Sequence, residues 1–501
     1  MYFDGGMWGG REPKYGLENA DDKIQAKMDA RFIDRALFAH FEAVYYDMYS
    51  GNARTLAEAQ KYPDRLIPMA VINPWHYDTT ANYLAELKIS GFKAIGFFSH
   101  YQLWKLHQSV FHRIVKDLSQ IDLPVVVGVA SLEELALAVE VFKPLQTPVL
   151  IRWVRGGGYN AVADEIAIAL DHPNFYFDVH NLVSVDAIKL LAEKIGSEHL
   201  FVSTNSPLVY EDSPLLLLES NQLSAADREN IAHGTLDKIF KITAPTAPGS
   251  IASKHAMGIA RPKIDVHWHF HGWDIMEPGK ELAAMRRMFN ECGYEKVICS
   301  SVWALNFDLQ AGNAATAELL EKDSRLCGYI VVDPIRVPES LLELEKYAGN
   351  PRFVGIKTIQ DYYNIGIDDP RYEPFLRWAD GKNLPVLCHR AGVINAAKKF
   401  PTVIFIAGHI SHERLLDLPE LAKLPNVMID VSGSYAHRGE TRLDEIIKTV
   451  GVDRVLYSSD GPLISTYWAL GKLFNVELSA EDQEKIYYQN ALRIFPNILK
   501  F

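Results

Sequence analysis

The sequence predicts an α/β protein built as two tandem (β/α)₈ TIM-like barrels. Three observations predict it: an ordered internal repeat, short apolar runs that alternate with helical segments in each copy, and polar residues at the C-terminal ends of those runs. A chain of 501 residues is also too long for one ordinary core.

The repeat is a series of matches in one order. "Y-P-D-R-L-I-P-M-A-V-I-N-P" (62–74) resembles "K-D-S-R-L-C-G-Y-I-V-V-D-P" (322–334). "H-P-N-F-Y-F-D-V" (172–179) matches "L-P-N-V-M-I-D-V" (424–431), and "S-T-N-S-P-L" (203–208) matches "S-S-D-G-P-L" (458–463). Chance explains one match, not the series, so the reading is a duplication of nearly the whole chain. "T-A-P-T-A-P-G-S" (243–250) reads as a linker. The expected division is a barrel over 1–241, a linker over 242–261 and a second barrel over 262–501.

In the second copy the runs are "K-I-D-V-H-W-H", "K-V-I-C-S-S-V", "L-C-G-Y-I-V-V", "F-V-G-I-K-T", "L-P-V-L-C-H", "V-I-F-I-A-G-H", "V-M-I-D-V-S" and "R-V-L-Y-S-S-D". They are apolar on both faces, as parallel strands covered by helices must be. Ser479 with Asp482, and Ser224 with Asp227, read as capping-box-like starts of the last helix of each copy.

The bulk numbers exclude some classes of function. The net charge of −12 argues against nucleic acid or an anionic membrane as partner. No apolar run is long enough to span a bilayer, and no signal-peptide pattern opens the chain, so a cytoplasmic protein is expected. Four cysteines, none in a C-x-x-C pair, read as buried free thiols.

Barrel chemistry gathers at the C-terminal strand ends. There the second copy carries His267 and His269 on its first strand, Lys357 on the fourth, His389 on the fifth, His409 on the sixth and Asp460 on the eighth. Alternation along a strand points His267 and His269 to one face, the barrel interior; His271 shares their parity but falls beyond the strand. Two imidazoles from one rigid strand, with a third histidine and a carboxylate from others, suit zinc or a neighbouring divalent ion and leave a position for water. A metal can activate that water at neutral pH, and Asp460 can take its proton. A lone histidine at a strand end is more often an ordinary satisfied polar residue; the ordered set favours the metal reading. Cys388 should face the helices and is not counted as a ligand. Three roles stay open for Lys357: carbamylated and bridging a second metal, pairing with a substrate carboxylate, or pairing with Asp460.

H-x-H on the first strand, "G-I-K", "L-P-V-L-C-H", "I-A-G-H-I", "L-Y-S-S-D-G-P-L" and "N-A-L-R-I-F" together resemble the amidohydrolase superfamily, in the amidohydrolase-related branch that contains aminocarboxymuconate semialdehyde decarboxylase. The resemblance covers 262–501. It implies a distorted TIM barrel holding one divalent metal, usually zinc, with manganese the alternative. It implies His267, His269, His389 and Asp460 as ligands and His409 as the residue that polarises substrate or water. It implies either hydrolysis of a small ester, lactone or amide, or non-oxidative decarboxylation of a small aromatic or unsaturated acid; "G-I-K" and "S-S-D-G-P-L" lean toward hydrolysis. Arg390 is a candidate for binding an acidic substrate, or an ordinary exposed arginine. A non-catalytic scaffold of two inactive barrels is the reading from another class.

In the first copy the histidines are replaced. "D-G-G-M-W-G" (4–9) stands where H-x-H would be, Gly128 corresponds to His389, Arg155 to His409, Phe98 to Lys357 and Asn205 to Asp460. The expectation is a degenerate barrel without metal ligands. Arg152, Arg155 and "G-G-G" (156–158) at its mouth can bind an anion, although a plain glycine loop is the simpler reading. The metal-free barrel is expected to serve as an internal partner of the catalytic one, a dimer folded into one chain, with further homo-oligomers open.

Overall fold

The computed structural model describes residues 1–14, 16–77, 83–154, 161–220, 222–243, 249–272, 280–409, 417–433 and 442–501. They fall into two compact units, the first ending at Lys254 and the second beginning at His255. Each unit is a curled parallel sheet wrapped by helices, and the pair are two TIM-like barrels.

The first sheet contains β1 (Tyr2–Glu12), β2 (Leu17–Asn19), β3 (Ile33–His40), β4 (Leu66–Val71), β5 (Ala94–Phe98), β6 (Val125–Val129), β7 (Val149–Trp153), β8 (Phe175–Asp178) and β9 (Leu200–Phe201). Its order is β2-β1-β3-β4-β5-β6-β7-β8-β9, and only β2 is antiparallel, a short hairpin on β1 that the sequence pattern did not suggest. The second sheet runs in chain order through β10 (Lys263–Phe270), β11 (Tyr294–Ser301), β12 (Leu326–Val331), β13 (Phe353–Thr358), β14 (Val386–Cys388), β15 (Phe405–Ala407), β16 (Val427–Asp430) and β17 (Val455–Leu456). These are the eight expected runs. Backbone bonds close each seam: Val266 N to Tyr457 O (3.2 Å) and His269 N to Gly461 O (2.6 Å) in the second unit, Gly5 N to Val202 O (2.8 Å) and Trp8 N to Ser206 O (3.0 Å) in the first.

Ile264, Ile298, Tyr329, Leu387, Ile406, Met428 and Leu456 form the second core, continuous with Phe495 and Ile498 near the end of the chain. Ser479 and Ser224 cap their helices as expected, each accepting from the backbone N–H of the aspartate three residues on. The linker region holds regular structure, a helix over Ile251–Ala260. All four cysteines are buried and free. Among the described residues no helix is long and apolar enough to cross a membrane.

Candidate metal centre

Two devices aim the first strand of the second barrel. Between Asp265 and Trp268 the register of β10 against β11 shifts, a bulge that re-aims side chains. Val266 joins the barrel core while His267, its immediate neighbour, reaches the cluster at the mouth; strict alternation would not allow both. The second device is Asp265. Its carboxylate accepts from the backbone N–H groups of His267 (3.0 Å) and Ser459 (3.2 Å), and from the Ser459 (2.6 Å) and Tyr294 (3.1 Å) hydroxyls. This buried carboxyl, pushed up by burial to about 7, ties the H-x-H strand to the loop carrying Asp460.

His267 Nε2, His269 Nε2 and an Asp460 carboxylate oxygen all lie within 4.8 Å of one another, and all three residues are buried. Asp460 Oδ1 is 3.6 Å from His267 Nε2 and 3.4 Å from His269 Nε2. The other nitrogen of each ring is engaged: His267 Nδ1 lies 2.6 Å from Asp430 Oδ2, and His269 Nδ1 lies 3.1 Å from the Ser300 hydroxyl. Burial, with the nearby Lys357 charge, pushes His267 down to about 4 and His269 well below its ordinary value, so both rings are neutral. A neutral imidazole whose Nδ1–H points at a partner presents a lone pair on Nε2. Two such lone pairs and a carboxylate oxygen facing each other fit a divalent cation. Lys357 shows the same demand, because its buried ammonium lies 2.7 Å from His267 Nε2.

The structure does not bring His389 into this group. Its Nδ1 lies 2.7 Å from Asp361 Oδ2, and its ring meets His409 edge-on, centroids 4.8 Å apart. The His409 ring is 4.9 Å from that of His267, so the three rings form a chain with His389 outermost. Arg390, beside it, is half-buried. His271 lies beyond the strand as expected, its ring 4.2 Å from Trp303. His409 and Asp460 both adopt left-handed backbone, φ 55° and 64°. That conformation is uncommon for residues with a side chain and gathers at functional sites.

Sequence reasoning missed Asp430, Ser432 and Asp265. Asp430 ends β16 in the "P-N-x-x-x-D-V" motif that the repeat assigned to the fold alone. It is buried, yet the His267 ring and other partners outweigh that burial and hold it below the usual carboxylate range. Its position at a strand end, in barrel order, was the available signal.

The first barrel repeats this geometry with different groups. Register shifts fall at the same steps of β1, which puts Gly6 at the step of His267 and Trp8 at that of His269. Asp4 accepts from the N–H groups of Gly6 (2.9 Å) and Thr204 (2.8 Å), as Asp265 does from His267 and Ser459. The ladders correct two equivalences: Gly96 rather than Phe98 stands at the Lys357 step, and Trp153 rather than Arg155 at the His409 step. The repeat offset drifts from strand to strand as connections change length, and a single offset misplaces them. Arg155 and the glycines 156–158 lie outside the described residues.

Arg152 fills the place of the first histidine. A Cβ built on Gly6 would come within 1.9–2.3 Å of the guanidinium atoms. The guanidinium donates to Asn205 Oδ1 (3.1 Å) and Gly6 O (3.3 Å) and lies 3.7 Å from Asp178 Oδ2. Asn205 Oδ1 also accepts from Trp8 Nε1 (3.0 Å). A fixed organic cation thus stands between the counterparts of Asp430 and Asp460.

Residues 264–496 match the family model described as Amidohydrolase, an enzyme family. No curated protein gives a significant match. Among solved structures, 5-carboxyvanillate decarboxylase from Sphingomonas paucimobilis is 15% identical over 47% of this chain and 99% of its own, with a TM-score of 0.39. 2,6-Dihydroxybenzoate decarboxylase from Rhizobium is 18% identical over 47% and 99%, TM-score 0.37. A dihydroxybenzoic acid decarboxylase from Polaromonas sp. JS666, with bound manganese and 2-nitroresorcinol, is 20% identical over 48% and 99%, TM-score 0.38.

Proposed function

We propose that the second barrel is a metal-dependent hydrolase of the amidohydrolase superfamily, acting on a small ester, lactone or amide that carries a carboxylate. The observation that supports this most is the buried convergence of His267 Nε2, His269 Nε2 and Asp460, with both Nδ1 atoms turned to side-chain partners. These three residues would hold one divalent ion, zinc first and manganese second; His389, now paired with Asp361, would have to turn inward to join them as a fourth ligand. The ion supplies Lewis acidity.

The chain's own residues do the rest. Asp460 receives a proton from the nucleophile and returns it to the leaving group, since it is the acid–base group held at the cluster. His409 donates from Nε2 to the substrate oxygen, because its Nδ1 faces the Ser432 hydroxyl at 3.2 Å. Lys357 offers a buried cation for the substrate carboxylate; the His267 Nε2 lone pair that it faces is the one the ion would take, which would leave the ammonium for the substrate. The first barrel, with Arg152 where the ligands would be, is a metal-free copy produced by duplication. It serves the second as an internal partner.

A screen of lactones, esters and aromatic carboxylates tests the reaction, following both acid release and carbon dioxide. Acid release without carbon dioxide supports hydrolysis; carbon dioxide release from an aromatic or unsaturated acid assigns the decarboxylase alternative.

A further inference from the structure

Lys472 is a charged residue that none of the motifs identified. It lies in the helix Thr466–Phe474, is 5% exposed, and donates from Nζ to Val431 O (2.7 Å) and Gly433 O (2.8 Å). Burying an ammonium is costly, and carbonyl oxygens offset the cost only in part. The first barrel avoids it: the offset relating "S-T-N-S-P-L" to "S-S-D-G-P-L" puts Leu217, fully buried, at the same step. The lysine is present in the barrel that has the histidines and absent from the one that lacks them.

The two carbonyls flank Ser432. Its hydroxyl stands between two imidazoles, 3.1 Å from His267 Nδ1 and 3.2 Å from His409 Nδ1, and its backbone N–H donates to Asp430 Oδ1 at 2.6 Å. Hydrogen-bond directions then follow. His267 Nδ1–H points to Asp430 and Ser432, so the Ser432 hydroxyl keeps its own proton for His409 Nδ1. That leaves the His409 proton on Nε2. Gly433 belongs to the same device: its φ is +73°, and a Cβ there would lie 2.1 Å from His409 Nδ1.

We propose that Lys472 is a positioning residue, which clamps the exit of β16 so that Ser432 bridges His267 and His409 and fixes His409 as the Nε2–H tautomer. It touches neither substrate nor metal. The inference deepens the proposed function and rests on His409 acting as a donor in that site.

The test uses the full chain labelled with ¹⁵N-histidine and stripped of metal. Long-range ¹H–¹⁵N spectra of the wild type should show His409 as a single Nε2–H tautomer and His267 as Nδ1–H. Lys472→Met should average the His409 signals between tautomers and leave His40 and His199 of the first barrel unmoved. It should also weaken Zn²⁺ binding about 10-fold or more in chelator competition, the range for losing an outer-shell partner. Lys472→Arg, which keeps the charge and the donors, should recover most of both. Unchanged His267 and His409 signals in Lys472→Met overturn the proposal, whatever the zinc data show. If that variant does not fold, Lys472→Gln, too short for both carbonyls, is read the same way. A wild type that binds no Zn²⁺ overturns the metal reading but leaves the tautomer comparison intact.

Discussion

Replacing Arg152 by methionine tests whether a fixed cation has taken over the centre of the first barrel. The guanidinium is 1% exposed, bonded to Asn205 and Gly6, and packed within 5.7 Å of the Trp8 ring and 5.9 Å of the Phe98 ring. Methionine fills much of the volume but leaves Asp178 without its nearby cation. Removing one partner of a buried ion pair typically costs about 3–5 kcal/mol. For a domain of this size about 1 kcal/mol lowers Tm by roughly 2–4 °C, so the first barrel's transition should fall by roughly 6–20 °C. Burial pushes the Asp178 carboxyl up, but His180 and Arg152 outweigh it and hold it below the usual carboxylate range. A depressed carboxylate contributes stability that is full above its unfolded value, about 3.9, and is lost as pH falls through the folded one. The penalty should therefore be largest at neutral pH and shrink below about pH 4. Calorimetry of the full chain, of Arg152→Met and of Arg152→Met/Asp178→Asn supplies the assay, and the double variant should lose less than the sum of the singles. A transition within about 2 °C of wild type at pH 7, with no coupling to Asp178→Asn, refutes the reasoning.

Asp430→Asn should weaken divalent-metal affinity by about 10- to 100-fold in chelator competition, because it removes the charge that orients His267 Nδ1–H; an unchanged Kd would remove Asp430 from the site. With a substrate in hand, Asp460→Asn should abolish turnover and His409→Asn should lower kcat by about 10²- to 10⁴-fold. Near-normal rates in Asp460→Asn contradict hydrolysis and decarboxylation alike. Residues 262–501 expressed alone should aggregate or self-associate to replace the missing barrel. A soluble, monomeric, fully active fragment would show that the first barrel contributes nothing.

Strands were legible because a buried parallel strand is apolar on both faces, and all eight runs of the second half are strands. H-x-H drew notice only with the further polar residues at other strand ends, since the pair alone has ordinary structural uses. Its aim was not: the bulge between Asp265 and Trp268 decides which side chains reach the mouth, and no sequence period reports it. Asp430 was assigned to the fold because it recurs as Asp178, yet each carboxylate faces a different cationic or imidazole partner. Lys472 and Ser432 act through backbone carbonyls and a shared hydroxyl, contacts that follow only from three-dimensional packing. His389 fell at the expected strand end, but its pairing with Asp361 draws on a short helix, Gln360–Tyr363, that carries no motif. The stretch "D-G-G-M-W-G" read as a strand that had lost its ligands; that the missing Cβ of Gly6 makes room for Arg152 follows from two strands distant in sequence.

The most direct measurement is the metal content of purified full-length protein by elemental analysis, beside that of His267→Ala/His269→Ala and Arg152→Met. About one zinc or manganese per chain is expected in the wild type and in Arg152→Met, and none in the double histidine variant, because a lost ligand pair removes most of the binding free energy. Stoichiometric metal in the double variant, or none in wild type purified from metal-supplemented cells, would contradict it.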